Sequence, residues 1–286
     1  MAVAATASVV IPAYQEERVI ARCLRTLLAE AAVGEFAVVV VCNGCTDATA
    51  DEARRAAEDL GHAVHVLELP QASKPVALRA GDASLSDFPR IYLDADALCP
   101  TATARALAAA LSRDDMELAV PNRVLDLSMT SSLGRLYYRT WASLPWVDSQ
   151  LAGRGAFAFS RSGRARFEAF PDVIADDRYA TTRVPRERAA ILKDAPVMVT
   201  PPASLRVMVR VRSRVFAGNA TLDGVAHDAP ASRRWAFLAR QLARPAAWPG
   251  LAVFVGVTLL AKSLAWVRVR GGHVGWSRDR SRGAMA

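Results

Sequence analysis

The first 120 residues alternate between two hydrophobic periods, and this alternation is the strongest constraint on how the chain can fold. The segments SVVIPAY (8–14), FAVVVVCN (36–43), HAVHVLEL (62–69), RIYLDADA (90–97) and ELAVPN (117–122) read as strands. FAVVVVCN is continuous and β-branched, as expected of a strand covered on both faces. Between the strands lie helical patterns. ERVIARCLRTLLAEA (17–31) carries Val19, Ile20, Cys23, Leu24, Leu27 and Leu28 on one stripe. ATADEARRAAEDL (48–60) can be capped by Thr46 or Asp47 and stopped by Gly61. Residues 75–86 and TATARALAAAL (101–111) complete the series. Strands alternating with helices of this length imply βαβ units, hence an α/β, Rossmann-like, mainly parallel sheet flanked by helices. Such sheets bind ligands beyond the carboxyl ends of their strands. Tyr14, Asn43 and the pair Asp94/Asp96 all fall at such ends.

The composition supports a packed core: 52% of the 286 residues are hydrophobic and 22% charged, which excludes a disordered chain. The four cysteines, Cys23, Cys42, Cys45 and Cys99, are too few and scattered for a disulfide scaffold and point to a reducing compartment. Cys42 and Cys45 form C-x-x-C, but no second pair with ligand spacing follows. The start lacks the basic region of a signal peptide and reads as a first strand. The net charge of +8 is uneven. Residues 1–200 carry 22 Lys/Arg against 25 Asp/Glu, and residues 201–286 carry 14 against 3. A basic tail beside a near-neutral body suggests an anionic partner such as lipid, phosphate or nucleic acid.

After residue 122 the alternation stops, so the expected organisation is 1–121, 122–220 and a basic tail, 221–286. In the middle region SSLGRLYYRTWASLPWV (131–147) is aromatic-rich and amphipathic, and GAFAFS (155–160) reads as a strand. Residues 176–184 read as a helix, as does the Arg-studded segment 204–218. In the tail, residues 245–267 hold a single charge, Lys262, with Trp248 and Trp266 where interfacial anchors would sit. The stretch is apolar on all sides and long enough for a membrane helix. Arginines flank it on both sides: Arg233, Arg234, Arg240 and Arg244 before, Arg268, Arg270, Arg278, Arg280 and Arg282 after. One full span cannot keep both sets cytoplasmic, so an in-plane or re-entrant helix stands beside a single span.

The tripeptide Asp94-Ala95-Asp96 places like charges together, which costs free energy unless a cation lies beside them. Here the chain resembles the family 2 inverting glycosyltransferases of the GT-A fold. The resemblance rests on six motifs in order: VVIPAYQEE, VVVVCNGCTD, SKPVALRAG, YLDADA, IADDRY and RVRSRVFAGN. It implies a nucleotide-sugar donor, most naturally a UDP-sugar, and a divalent cation, Mn²⁺ or Mg²⁺, bridging its diphosphate. In the family pattern Asp96 binds that metal and Asp94 faces the ribose and metal shell. Pro12, Tyr14 and Glu16 belong to the first motif, Tyr14 matching the aromatic residue stacked on the donor base. Asn43 matches the residue that reads the base edge, and Asp47 completes that motif. Lys74 matches a cation facing the donor phosphates. In IADDRY the second acid, Asp177, matches the base that deprotonates the acceptor, with Asp176 in support. Read from residues alone, Tyr14 also fits a rim aromatic, Asn43 a turn former before Gly44, and Asp176–Asp177 a plain helix cap.

The segment VRSRV (211–215) departs from the Q-x-x-R-W of processive members. Arg214 matches the arginine, but Val211 and Val215 replace the glutamine and the tryptophan. Arg212 and Arg214 remain candidates to clamp the leaving diphosphate, and a single sugar transfer is expected. The resemblance and the tail together imply an enzyme at the cytoplasmic face of the membrane, acting on a lipid-linked or envelope-glycan acceptor. No nucleic-acid partner is expected, because the basic residues flank an apolar segment and do not interleave with aromatics along a groove. The rival readings are a nucleotidyltransferase, which would release pyrophosphate, and a nucleic-acid-binding protein using the tail.

Overall fold

The structure is a computed structural model that describes residues 5–173, 175–220, 237 and 239–270. Its strands are β1 (Ala7–Ala13), β2 (Phe36–Asn43), β3 (Val64–Leu69), β4 (Arg90–Leu93), β5 (Ala97–Leu98), β6 (Leu118–Leu125), β7 (Ala156–Phe159) and β8 (Ala189–Val199). They form one sheet in the order β3-β2-β1-β4-β7-β6-β8-β5. The β3-β2-β1-β4 half is parallel throughout, as the βαβ pattern requires. Strand β7 runs antiparallel to both β4 and β6, and β8 returns parallel to β6. A strand from the middle region is thus inserted between two strands of the first 125 residues, and the sheet is continuous across both.

The α/β core follows from the period-2 alternation. Val9, Ile11 and Val40 face the helices α1 (Ile20–Leu28), α2 (Thr49–Leu60) and α4 (Thr101–Leu111), packing on Ile20, Leu24, Leu27, Ala53 and Leu107. Val10, Val39 and Val41 point the other way, toward Ala77 and Leu78 of α3 (Lys74–Ser84). Both faces are covered, so the strands read as unbroken apolar runs. Helix α2 starts from Ala48 with no side-chain cap, and Gly61 ends it in the left-handed conformation at φ +67°. Helix α3 is capped by Ser73, whose hydroxyl accepts from the Val76 N–H.

The remaining helices are α5 (Ser132–Ala142), α6 (Arg161–Arg164), α7 (Asp176–Thr181), α8 (Leu205–Ala220) and α9 (Trp248–Arg270). Helix α9 is long and apolar enough to cross a membrane. It packs along α5 and α8 through Val257, Ala261 and Ala265, one stripe at four-residue spacing. Its Phe254 stacks on Tyr137 of α5 at 5.3 Å. The opposite face exposes Leu259, Leu260, Leu264 and Val267. The flanking arginines Arg233, Arg234, Arg278, Arg280 and Arg282 lie outside the described residues, as does most of 221–247 ahead of residue 239.

Two expectations are revised, and one strand was not expected. The strand at 90–97 ends at Leu93, and Asp94 opens a tight turn whose Ala97 N–H returns to the Asp94 carbonyl at 3.0 Å. The helix at 176–184 stops at Thr181. Strand β8, the longest in the sheet, has no counterpart in the sequence pattern.

Candidate active site

The site is built at the carboxyl edge of the parallel half-sheet. There the loops after β1 and β2 are laced together. Gln15 sits at φ +58°, an uncommon conformation for a non-glycine residue. Its amide oxygen accepts from the N–H groups of Thr46 and Asp47 at 2.9 and 3.1 Å, and its amide nitrogen donates to the Thr46 hydroxyl at 2.7 Å. The Glu16 N–H donates to the Thr49 hydroxyl, and the Glu17 N–H to the Asp47 carboxylate. Pro12 is buried within β1. Asn43 is also buried, and its side-chain nitrogen donates to the Ala13 carbonyl at 2.9 Å. Pro12 and Asn43 therefore brace the two strands, while Tyr14, Glu16 and Asp47 stand half-buried on the loops above them.

Lys74 is the first residue of α3, and the capped turn before it points the side chain across the ends of β1 and β4. Its ammonium lies 2.9 Å from Asp94 Oδ1 and 3.1 Å from Asp176 Oδ2. Burial alone would lower its pKa, but the carboxylates of Asp176, Asp94 and Asp177 outweigh burial and hold it above the ordinary lysine value. For Asp176, burial is the larger effect: it pushes the carboxyl up to about 6 against the opposing pull of Lys74. Ala95 and Ala97 are buried beneath the turn, and the side chains of Asp94 and Asp96 line the cavity above it.

Asp177, next along α7, is held by backbone donors. The Gly153 N–H donates to its Oδ2 at 2.6 Å and the Arg178 N–H to its Oδ1 at 2.7 Å. Two residues on, the Gly155 carbonyl accepts from the Asp94 N–H at 2.9 Å. The turn 153–155 is therefore a direct brace between the aspartate pair and the acidic helix. Its shape needs glycine: Gly155 has φ +76°, and a Cβ there would lie 2.9 Å from Val199 and 3.0 Å from Ala97. The sequence signal was a Gly-x-Gly directly before a strand, which fits no dinucleotide motif and carried no reading of its own.

One cavity of about 640 Å³ gathers Lys74, Asp94, Asp96, Asp176, Asp177, Arg212 and Arg214. Pro12, Tyr14, Glu16, Asn43 and Asp47 are not among its lining and flank it along the β1 and β2 ends. The cavity continues away from the carboxylates between α5, α8 and α9, past Tyr137, Trp141 and Phe254. Arg123, which the sequence did not single out, also lines it. Arg123 and Arg212 lie 4.3 and 4.7 Å from the Trp141 ring. Burial and the neighbouring charges of Arg154 and Arg212 draw the Arg123 guanidinium down to about 10.

Residues 8–162, more than half of the chain, match the family model described as Glycosyl transferase family 2. The chain belongs to that family. No curated protein matches it in sequence. Among solved structures, this glycosyltransferase is similar to the mannosyltransferase PcManGT from Pyrobaculum calidifontis in complex with GDP-Man and Mn²⁺. That match has 22% identity and a TM-score of 0.62, covering 94% of this chain and 80% of that one. It is also similar to the glucosyl-3-phosphoglycerate synthase of Mycobacterium tuberculosis in complex with Mn²⁺, UDP and glucosyl-3-phosphoglycerate. There the identity is 20% and the TM-score 0.55, with 78% and 81% coverage. TarS residues 1–349 from S. aureus align at 15% identity and TM-score 0.52, with 93% and 89% coverage. The glycosyltransferase thus shares the GT-A fold with all three.

Proposed function

We propose that this glycosyltransferase moves one sugar, with inversion, from a nucleoside-diphosphate sugar to a lipid-linked or envelope-glycan acceptor at the cytoplasmic face of a membrane. The observation that carries the reading is the Lys74 ammonium held between Asp94 and Asp176. It joins the donor-side aspartate pair to the acidic helix in one cavity that also holds Asp96 and Asp177.

In this reading residues 1–121 bind the donor, 122–220 form the acceptor side and 221–286 provide the membrane anchor. Tyr14, Glu16 and Asp47 offer the nucleoside a wall pinned by Gln15. Lys74 supplies positive charge beside the donor phosphates, and Arg214 meets the departing diphosphate. The resemblance favours uridine, while the structural neighbours divide, one carrying GDP-Man and another UDP.

A divalent cation, Mn²⁺ or Mg²⁺, fits the residues present. Asp94 and Asp96 offer hard carboxylate oxygens on the cavity wall, and among the described residues that line it there is no cysteine or histidine. Among the described residues no cluster of three or more His, Cys, Asp or Glu forms a self-contained metal cage. This is the donor set of an ion held by one or two carboxylates together with substrate phosphates. When bound, such an ion neutralises charge developing on the leaving diphosphate.

Asp177 takes the acceptor proton. Its two backbone donors fix the carboxylate's orientation. Asp176, buried and paired with Lys74, holds the acidic helix against the donor half. A single base opposite the leaving group is the arrangement for inversion in one displacement. Val211 and Val215 line the cavity at the positions where processive relatives carry glutamine and tryptophan, which favours a single transfer.

Helix α9 lies along the catalytic body through its Val257–Ala261–Ala265 stripe, and this packing favours an in-plane helix over a free-standing span. Its outward leucines, with the exposed Trp248 and Trp266, then face the lipid. No nucleic-acid partner is part of this reading. The test is a panel of nucleotide sugars offered with Mn²⁺ to the purified protein and scored for nucleoside diphosphate released. Turnover of one donor supports the reading, and pyrophosphate release from nucleoside triphosphates would identify a nucleotidyltransferase instead.

A further inference from the structure

The Cys-x-x-Cys turn after β2 has no part in the chemistry above, yet it is bonded directly to Gln15. Cys42 pairs with Ala13 in the parallel register of β1 and β2, and its side chain is buried among the residues that face α1 and α2. Gly44 turns the chain at φ +65°, and Cys45 packs against the same residues. The turn brings the two thiols into hydrogen-bond contact. All four cysteines of the chain are free thiols.

The Cys45 sulfur also ties this turn to the loop after β1. It accepts from the Gln15 N–H at 3.4 Å and donates to the Ala13 carbonyl at 3.5 Å. Gln15 in turn holds Thr46 and Asp47 through its side chain. A change of bonding at Cys45 therefore reaches the Gln15 backbone and the loop that Gln15 pins. The four thiols are not equivalent. Burial pushes Cys23 and Cys99 up, Cys99 to about 12. The Cys42 thiol, with the Gln15 N–H and the Thr49 hydroxyl, outweighs burial and draws the half-buried Cys45 down to about 7. A half-exposed thiol that ionises readily, with a second thiol against it, is the arrangement of an attacking and a resolving cysteine.

We infer that Cys42 and Cys45 are a redox-sensitive dithiol, which low-molecular-weight disulfides oxidise to an intramolecular disulfide that unpins Gln15 and weakens nucleotide binding. Cys45 Sγ attacks one sulfur of the small disulfide, whose S–S bond breaks and releases one small thiol. Cys42 then loses its proton and attacks Cys45 Sγ, and the second small thiol leaves. Two electrons and two protons pass from the protein pair to the reagent, which is reduced to two thiols. In the disulfide Cys45 has no S–H for the Ala13 carbonyl, and its sulfur is drawn toward Cys42 and off the Gln15 N–H. In a reducing compartment such a bond is transient, and reduction restores the pair. The weakened nucleotide binding rests on the reading above, that the Gln15 loop walls the nucleoside; the disulfide itself does not.

The test oxidises the reduced full chain with glutathione disulfide and removes the excess. Trypsin leaves Cys42 and Cys45 on the peptide 26–54, apart from Cys23 and Cys99. That peptide is expected to lose two hydrogens and to regain them with dithiothreitol. Cys42→Ala is expected to stop at a glutathione adduct on Cys45, and Cys45→Ala to take no adduct at Cys42. If either variant does not fold, the mass of the unaltered chain still decides. Amide hydrogen exchange at Gln15, Thr46 and Asp47 is expected to rise on oxidation. UDP–Mn²⁺ affinity is expected to fall about three- to tenfold, the worth of one hydrogen bond, and to recover with dithiothreitol. Two unchanged thiols on peptide 26–54, or a disulfide through Cys23 or Cys99, would overturn the dithiol. A Cys42–Cys45 disulfide that leaves UDP–Mn²⁺ affinity unchanged would overturn its link to the donor. Faster exchange at Gln15 in a chain that binds no UDP–Mn²⁺ even when reduced would remove the donor reading and leave the dithiol standing.

Discussion

Lys74 and Asp176 meet at 3.1 Å, one at the start of α3 and the other at the start of α7. Both side chains are largely buried, 19% and 5% exposed, so this contact is a structural joint as well as part of the site. Removing one partner of a buried pair leaves an uncompensated charge, which costs about 3 kcal/mol or more. Lys74→Met is therefore expected to lower the melting temperature by on the order of 5–10 °C. Adding Asp176→Asn should restore part of the loss, because the pair is then removed together. Thermal unfolding of the two single variants and the double variant measures the coupling, and strictly additive losses would show that the joint is absent.

Asp177 differs from its neighbour in being held by backbone donors and not by a cation. Asp177→Asn keeps its size and one acceptor for the Gly153 N–H but loses its basicity. Turnover at saturating donor is expected to fall by about 10²–10⁴-fold, with donor affinity nearly unchanged. Asp176→Asn is expected to fall less. Single-turnover kinetics beside equilibrium donor binding separate the two effects, and near-native turnover of Asp177→Asn with a dead Asp176→Asn would place the base one residue earlier.

Deleting the chain after residue 244 would strip Phe254, Val257 and Ala261 from the core they share with Tyr137 and Met208. It is therefore not a clean test of membrane attachment. Changing Leu259, Leu260 and Leu264 to Ser alters only the outward face, where these side chains are 61%, 53% and 40% exposed. The expected outcome is a loss of pelleting with anionic liposomes while the melting temperature stays within a few degrees. Full retention on liposomes would mean that this face does not meet lipid.

The parallel half-sheet and its helices were legible because β1, β2 and β4 are buried on both faces and the helices carry apolar stripes. Asp94, Asp96, Lys74, Asp176 and Asp177 were singled out by the order of motifs that resembles the family, since the residues alone left Asp176–Asp177 a plain helix cap; the structure brings all five to one cavity. Strand β8 was not, because Lys193, Asp194 and Pro196 interrupt its apolar pattern while β6 shifts register opposite them at Pro121/Asn122. The Gly153–Asp177 brace was hidden for a different reason: its donor is a backbone N–H, which has no side-chain signature. Asp82 of α3 was hidden for another reason: it accepts from the side chains of Arg90 and Tyr92 of β4 and Arg164 of α6, which lie on different elements. Those partners converge only once β4, α3 and α6 have packed. Arg123 stayed invisible because its place in the cavity wall, against the ring of Trp141, arises only when α5 folds.

The most direct test of the account is donor turnover as a function of divalent cation. Nucleoside diphosphate release from the preferred nucleotide sugar should disappear in EDTA, return on adding Mn²⁺ or Mg²⁺, and stay absent in Asp96→Ala at any metal concentration while that variant keeps the melting temperature of the parent. Undiminished release in EDTA, or a fully active Asp96→Ala, would contradict the assignment of Asp94 and Asp96 to a metal-bridged donor diphosphate.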